Sequence, residues 1–440
     1  MKLIINPKIF VFMILGKLFL FNGCNKTPDN FNREKLNSIV DKYITDDYLP
    51  FLHIRIEDKY GKVIYQRTKI NSTALPGEKI NEKSPIRIWS MSKIVTISLI
   101  MDLVEDGIIS LDDPVVKYIP EFSNLKVAKS PDGRSISVFT SGSSFEPPSD
   151  DRVELACPIN LVDNDSIMKV RHLVDHKAGF YYANTQLECI DGPIIDENPV
   201  MASNSDSLIN ILSRLPLIHN PGERYHYGLN TTVLGLVAER ATNLSLNKLL
   251  NKRINEPMKI NGLKYKLEEG EKLIPPMTYK DGFYRTPKKG EMDILGRNTP
   301  NYNKDQEVYF GGSGMLATSD GYADYLRIWL NEGELNGYQF LDKKTIKKMV
   351  TSVRKESGYG IDTNFFFFIT GDSVLVQGTG DIGLWEGGGY EGTSFWIDHK
   401  YGFVAVVMTQ VWWPKDGAFK FRDEFRSELY QQLAQSKSVF

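Results

Sequence analysis

The sequence predicts an α/β fold of the α+β type: an antiparallel sheet built from both chain ends, flanked by helices, with a helical subdomain inserted between them. Three observations predict it. The stretch "FLHIRIEDKYGKVIYQRTK" (51–69) alternates apolar and polar residues on either side of "KYGK". The C-terminal region returns to strand-like runs, "NFFFFIT", "VLVQGTG" and "TSFWIDHKYGFVAVVMTQ". Between these two regions, apolar residues recur mainly at helical spacing.

In chain order, the first stretch reads as a β-hairpin with a Gly-bearing turn. From Ser90 to Gly107, "SMSKIVTISLIMDLVEDG" reads as a helix that stops at a glycine. Residues 127 to 165 are poor in apolar side chains and read as an excursion, after which "SIMKVRHLVDHKAG" and "NTTVLGLVAERATNLSLNKLLNKRI" resume helical periodicity. A second irregular stretch, 262 to 307, precedes the helical "DGYADYLRIWLNEG". The amphipathic "FRDEFRSELYQQLAQ" closes the domain. One domain over 37–435 follows, with its α/β part at about 37–110 and 340–435 and its helical part at about 111–339.

With 440 residues, 41% hydrophobic and 25% charged, the chain can bury a large core, which excludes a disordered protein. Its formal net charge is -2, from 53 basic and 55 acidic residues that are well mixed. No stripe of positive charge is available for a phosphate backbone, so nucleic acid is excluded as a partner.

The N-terminus, "MKLIINPKIFVFMILGKLFLFNGCNK", has a basic start, an apolar run interrupted by Lys17, and small residues before Cys24. Residues 1–24 therefore read as an export segment, followed by a polar tether over 25–36. Phe21-Asn22-Gly23-Cys24 resembles a bacterial lipobox, which implies lipidation of Cys24, although Phe21 and Asn22 fit that pattern loosely. A plain cleaved signal and an uncleaved anchor remain open. The expected location is the bacterial periplasm or cell envelope, with membrane contact through the N-terminal anchor only. Two cysteines are then left, Cys157 and Cys189, and an exported chain can pair them. Neither has the spacing of a zinc site.

The chemistry turns on "IWSMSKIVT" (88–96). The pattern S-x-x-K occurs here at Ser90 and Lys93, and again at Ser123, Ser166, Ser245 and Ser352. A nucleophilic serine needs a base, and a lysine one turn later brings its amine within reach of the hydroxyl. A helix N-terminus disfavours protonation of that lysine and favours an adjacent oxyanion. Of the five matches, only Ser90 opens a long apolar helix directly after strands. Ser166 and Ser245 read as helix caps, and Ser123 and Ser352 lie in polar segments. On local context, Ser90 is equally readable as a cap.

The rest of the chain breaks the tie. With "SMSK" early, "PGERYHYGLNTTVLGLVAE" in the middle, "GGSGMLATSDGYADYLRIWLNEGEL" later and "GGGYEGTSFWIDHKYGFVAVVMTQ" near the end, the sequence resembles the class C β-lactamase and penicillin-binding-protein-like family of serine hydrolases, including its carboxylesterases. The resemblance covers about Asn37 to Gln435. It implies a β-lactamase/transpeptidase-like fold with the active site in a cleft between sheet and helical subdomain. It also implies Ser90 as acylated nucleophile, Lys93 as its activating amine, Tyr227 as proton carrier, and no metal or organic cofactor.

Two departures from the family pattern bear on the substrate. Leu229 stands where the family often has Asn, with Asn230 one place later; the esterase branch commonly lacks that Asn too. Gly387-Gly388-Gly389 replaces the K-T-G or H-T-G strand before Tyr390. The amide of Tyr390 can still join that of Ser90 in an oxyanion hole. The cation and hydroxyl that would hold a substrate carboxylate are gone, and Glu386 would repel one if it faced the cleft. The expected activity is ester or amide hydrolysis of a small-molecule or peptide substrate. D-Ala-D-Ala peptidase or β-lactamase activity comes second, and a non-turnover penicillin-binding sensor is the rival from another class.

Other features are set aside. His172 and His176 have metal-compatible spacing but no evident third ligand, and read as part of a structural helix. His226 neighbours Tyr227 but points away from it on an extended segment. "GGSG" (311–314) is not a nucleophile elbow, because Met315 stands where its last glycine should be. Trp385, Trp412 and Trp413 either line a cleft or cap the sheet.

Overall fold

The computed structural model describes residues 32–137, 153–154, 157–185, 187–288, 291, 302–351, 354–356, 360–362, 368–369, 378–381, 383–418 and 420–435. The stretch read as an export segment and Cys24 lie outside the described residues, as do Ser352 and most of "VLVQGTG".

One antiparallel sheet of eight strands joins the two ends of the chain. Its strands are β1 (Phe51–Asp58), β2 (Val63–Ile70), β3 (Arg354–Glu356), β4 (Gly360–Asp362), β5 (Phe368–Ile369), β6 (Trp385–Gly388), β7 (Ser394–Asp398) and β8 (Phe403–Met408). They run in the order β3-β4-β5-β6-β7-β8-β1-β2. The N-terminal strand β1 pairs with C-terminal β8, placing His53 opposite Met408 and Asp58 opposite Phe403. All six residues of β8 are buried, as expected of a strand covered on both faces.

Helices α1 (Arg33–Thr45), α2 (Ser92–Glu105), α3 (Asn230–Thr242), α4 (Ser319–Leu330) and α5 (Lys420–Gln435) supply the cover. On one face α1 packs against β2 and α5, and Tyr65 of β2 meets Phe425 of α5 with ring centroids 5.6 Å apart. On the other face α4 lies across β1, β7 and β8, and Tyr322 meets Phe395. Helix α2 is apolar nearly all round and is buried from Ser92 to Leu103, as such a helix must be. It sits against α3, while tyrosines of α4 hold its backbone: Tyr322 Oη donates to Met91 O at 3.0 Å and Tyr325 Oη to Ile94 O at 2.9 Å.

Several boundaries differ from the sequence reading. The chain read as a tether to residue 36 is already helical from Arg33, where Asn32 Oδ1 caps α1 by accepting from Lys35 N at 3.2 Å. Helix α2 begins at Ser92, because a tight 3-10 turn occupies Trp89–Met91. The stretch 166–179 is helical only over Val170–Val174. Helices at Glu188–Glu197 and Ser205–Leu212 went unread. The two irregular segments carry short pairings, Lys126–Lys129 with Asn160–Asp163 and Thr278–Lys280 with Phe283–Arg285. Two- to four-residue strands are too short to show a period.

Candidate active site

The short strand Ile86–Arg87 delivers the chain into the turn that carries Ser90. Trp89 there has φ 46°, a left-handed conformation that costs a bulky residue about 1–3 kcal/mol unless its surroundings enforce it. They do. The indole Nε1 donates to Glu391 Oε2 at 2.8 Å, and the ring packs on Tyr390 with centroids 5.2 Å apart. Arg87 forks onto the same carboxylate at 2.9 and 2.6 Å, with both partners buried. The Ser90 turn and the Gly389–Gly392 turn after β6 are thereby one unit. Their closeness requires Gly389: a Cβ there would stand 2.5 Å from Ile88 O and would also strike Thr393 Oγ1.

Ser90 Oγ, partly exposed, accepts a hydrogen bond from Tyr227 Oη at 2.6 Å and lies 3.2 Å from Lys93 Nζ. Ser90 therefore is not a helix cap. Of the other matches, Ser245 caps a helix as read, with Oγ accepting from Lys248 N, whereas Ser166 lies four residues ahead of the helix at Val170 and caps nothing there.

Lys93 is fully buried, and burial holds its amine well below the ordinary value of 10.5. A neutral amine has two N–H donors and one lone pair. Gly312 O, 2.6 Å away, can only accept, so it takes one N–H. The second N–H can go to the Tyr182 oxygen at 3.2 Å, and the Ser90 hydroxyl, also at 3.2 Å, can donate to the lone pair. The faces of Tyr227 and Tyr182, at 4.7 and 5.7 Å, stand ready to stabilise the ammonium formed when Lys93 takes a proton. Burial pushes the Tyr227 phenol up, and its bond to Ser90 opposes this only in part, so Tyr227 stays protonated and donates. Tyr182 is likewise pushed well up, first by burial and then by Tyr227 and Tyr225.

Tyr182 was not singled out in the sequence, since nothing in "GFYYAN" separates it from Tyr181. Its position depends on Gly228, where a Cβ would collide with Phe180 O and stand 2.5 Å from Tyr181 Cα; the Tyr227 strand can lie on the Phe180–Tyr182 segment only without it. His176 stacks on Tyr227 at 5.1 Å and 25°, and its ring nitrogens lie 3.4 Å from Asn230 Nδ2 and Thr231 Oγ1. His172 Nδ1 accepts from Lys169 N at 3.2 Å. Asn230 is a buried clamp that accepts from Ala178 N and donates to Phe180 O and His226 O. Leu229 is core, and His226 is fully enclosed.

Across the cleft, Glu386 does not act as the sequence allowed. It turns toward α5, where Arg426 Nη1 donates to it at 2.6 Å, and its charge is neutralised there. A Cβ on Gly387 would meet the Phe395 ring at 2.7 and 2.9 Å, so that ring fills the room a side chain at 387 would need. Gly388 pairs with Ser394, and Gly389 N donates to Thr393 O at 2.8 Å. Trp385 meets His399, and Trp412 stacks on Tyr390 at 4.0 Å and 20°. Farther off, Cys157 and Cys189 are joined, with Cα atoms 5.9 Å apart.

The geometry can be set beside known proteins. A family model described as Beta-lactamase matches residues 59–425. The ML-236A carboxylate methylbutanoyltransferase of Penicillium citrinum is 25% identical over 271 residues, 60% of this chain and 56% of that protein. Lovastatin esterase of Penicillium rubens is 24% identical over 405 residues, 86% of this chain and 93% of that protein. The chain spans less than two thirds of the length of several curated relatives it matches. The solved structure of EstCE1, a hydrolase with promiscuous acyltransferase activity, has a TM-score of 0.71 and 18% identity, covering 90% of this chain and 98% of that one. The fold is the β-lactamase/transpeptidase-like one with mixed helices and antiparallel sheet, and the chain belongs to the Beta-lactamase family.

Proposed function

We propose that this protein is a serine hydrolase that cleaves neutral esters through an acyl-enzyme on Ser90. The observation that carries this reading is the triangle of Ser90, the desolvated Lys93 amine and the protonated Tyr227. Ser90 Oγ attacks the ester carbonyl carbon and its proton passes to Lys93, whose new charge rests on Gly312 O and two tyrosine faces. The amides of Ser90 and Tyr390 hold the oxyanion. Tyr227 gives its proton to the leaving oxygen as the C–O bond breaks, and Lys93 reprotonates Tyr227. Water then attacks the acyl-Ser90 ester, losing its proton to the same groups, and Ser90 is regenerated.

Neutral esters are favoured over β-lactams and D-Ala-D-Ala peptides because β6 offers no cation at Gly387, and Phe395 fills the space for one. Amide bonds remain within the mechanism's reach. The relatives named for transferase activity support a second outcome, in which an alcohol replaces water in the last step. A non-turnover sensor would release one equivalent from an activated ester and then stop; continued release excludes it. A panel of short-chain esters, a chromogenic cephalosporin and D-Ala-D-Ala peptides tests the substrate class. Clear preference for the cephalosporin or peptide overturns it.

We also propose export, with lipid anchoring at Cys24 in the cell envelope. The N-terminal pattern and the joined Cys157 and Cys189 support this. Labelling of cells with a clickable palmitate, lost in Cys24→Ser, is the expected result.

A further inference from the structure

Four aromatic rings run in file from the nucleophile's turn to the surface. Trp89 packs on Tyr390 at 5.2 Å, Tyr390 on Trp412 at 4.0 Å, and Trp412 on Trp413 at 5.9 Å. Exposure grows along the file: Trp89 is buried, Tyr390 and Trp412 are partly covered, and Trp413 is 63% exposed.

Both ends of the file are held in a conformation that tryptophan disfavours. Trp89 has φ 46° and Trp413 has φ 58°. At Trp89 the strain is explained by presentation of Ser90. At Trp413 it sets the backbone from which an exposed ring projects, and that backbone is sewn down on both sides. Trp412 N donates to Met277 O at 2.7 Å, Tyr279 N to Trp413 O at 2.9 Å, and Met277 N to Gln410 O at 3.1 Å. Gln410 is in turn buried, with Oε1 accepting from Arg87 N at 3.1 Å, which ties the loop to the segment carrying Trp89 and Ser90. A large apolar face on an anchored backbone, in continuous ring contact with the turn that carries Ser90, is suited to stacking.

We infer that Tyr390, Trp412 and Trp413 form a subsite for a ring carried by the substrate, and that it selects among the esters cleaved at Ser90. The inference rests on the hydrolase reading above and deepens it. The chemistry recognised is a ring face that can lie against an indole, supplied by the π face of an arene or by the C–H face of a pyranose chair.

The test compares butyrate esters of ethanol, 2-naphthol and methyl glucoside, together with ethyl 2-naphthoate, on the intact chain and on Trp413→Ala and Trp413→Phe. Trp413→Ala is expected to raise KM about tenfold, the scale of one stacking contact, for at least one ring-bearing ester. Ethyl butyrate and kcat should change less than about twofold, and Trp413→Phe should recover most of the loss. The naphthyl and glucoside arms separate arene from sugar. Equal losses on ethyl and ring-bearing esters, or no change on any, overturn the inference. If no ester turns over, the hydrolase reading fails separately, and calorimetry with 2-naphthol and methyl glucoside on Ser90→Ala decides the subsite. Binding that Trp413→Ala abolishes supports it; binding that is absent, or indifferent to Trp413, overturns it.

Discussion

Tyr227 Oη donates to Ser90 Oγ at 2.6 Å, although 137 residues separate them in sequence. The phenol is held protonated by burial, so the part proposed for it is to give a proton to the leaving group, and removing the hydroxyl should remove that part alone. Tyr227→Phe keeps the ring that stacks on His176. We expect kcat/KM for a short-chain ester to fall by about a hundredfold or more, with the melting temperature nearly unchanged. A variant that loses stability in proportion to activity would make Tyr227 a packing residue.

The lowered pKa of Lys93 has two consequences whose signs can be fixed. The proposed mechanism needs the neutral amine, so kcat/KM should rise with pH through the folded-state pKa and be lost below it. Stability follows the same window. Below the folded-state pKa both folded and unfolded chains carry the proton, above 10.5 neither does, and between the two only the unfolded chain does. Wild-type stability therefore gains with pH across that interval. Lys93→Met lacks this gain, so the difference in melting temperature, variant minus wild type, should shrink as the pH is raised. A constant difference would contradict the buried neutral amine.

Gly387 tests the proposed reason for a preference against β-lactams. Gly387→Lys supplies the missing cation, but its Cβ must displace the Phe395 ring, and overpacking of this kind costs about 1–3 kcal/mol. The single variant should be less stable and gain no cephalosporin turnover. Phe395→Ala alone costs about 3–5 kcal/mol as a core truncation, but in that background Gly387→Lys should cost less than it does in the native chain, read by denaturant titration of the double-mutant cycle. Cephalosporin hydrolysis by the single variant would show that the strand already has room.

Glu391 ties three groups together: the Arg87 guanidinium, the Trp89 indole and, through the chain, the Tyr390 turn. Glu391→Ala leaves Arg87 buried without its counter-ion. Breaking such a pair from one side costs about 3–5 kcal/mol, and a marginal domain should show this as partial unfolding or a large drop in melting temperature. Retained stability would mean that the pair does not hold the turn.

That Ser90, Lys93 and Tyr227 come together was legible because each sits in a local pattern with matched flanks. What was illegible came from contacts between distant segments. Tyr182 reaches Lys93 across 89 residues, and Gly312 O across 219, without any motif of their own. The direction of Glu386 depended on Arg426 of α5, forty residues on, which no period of β6 reveals. Helix α4 was legible as a helix, but its packing across β1, β7 and β8 was not, because an amphipathic stripe does not name its partner. The choice left open for Trp412 and Trp413, cleft or cap, needed the exposure and the φ of Trp413, both properties of the folded chain.

The central claim is that Ser90 is the residue acylated. Treating the intact chain and its Ser90→Ala variant with a fluorophosphonate, and weighing both by intact-protein mass spectrometry, tests it most directly. The account predicts a single adduct on the native chain and none on the variant. Equal labelling of the two would contradict it.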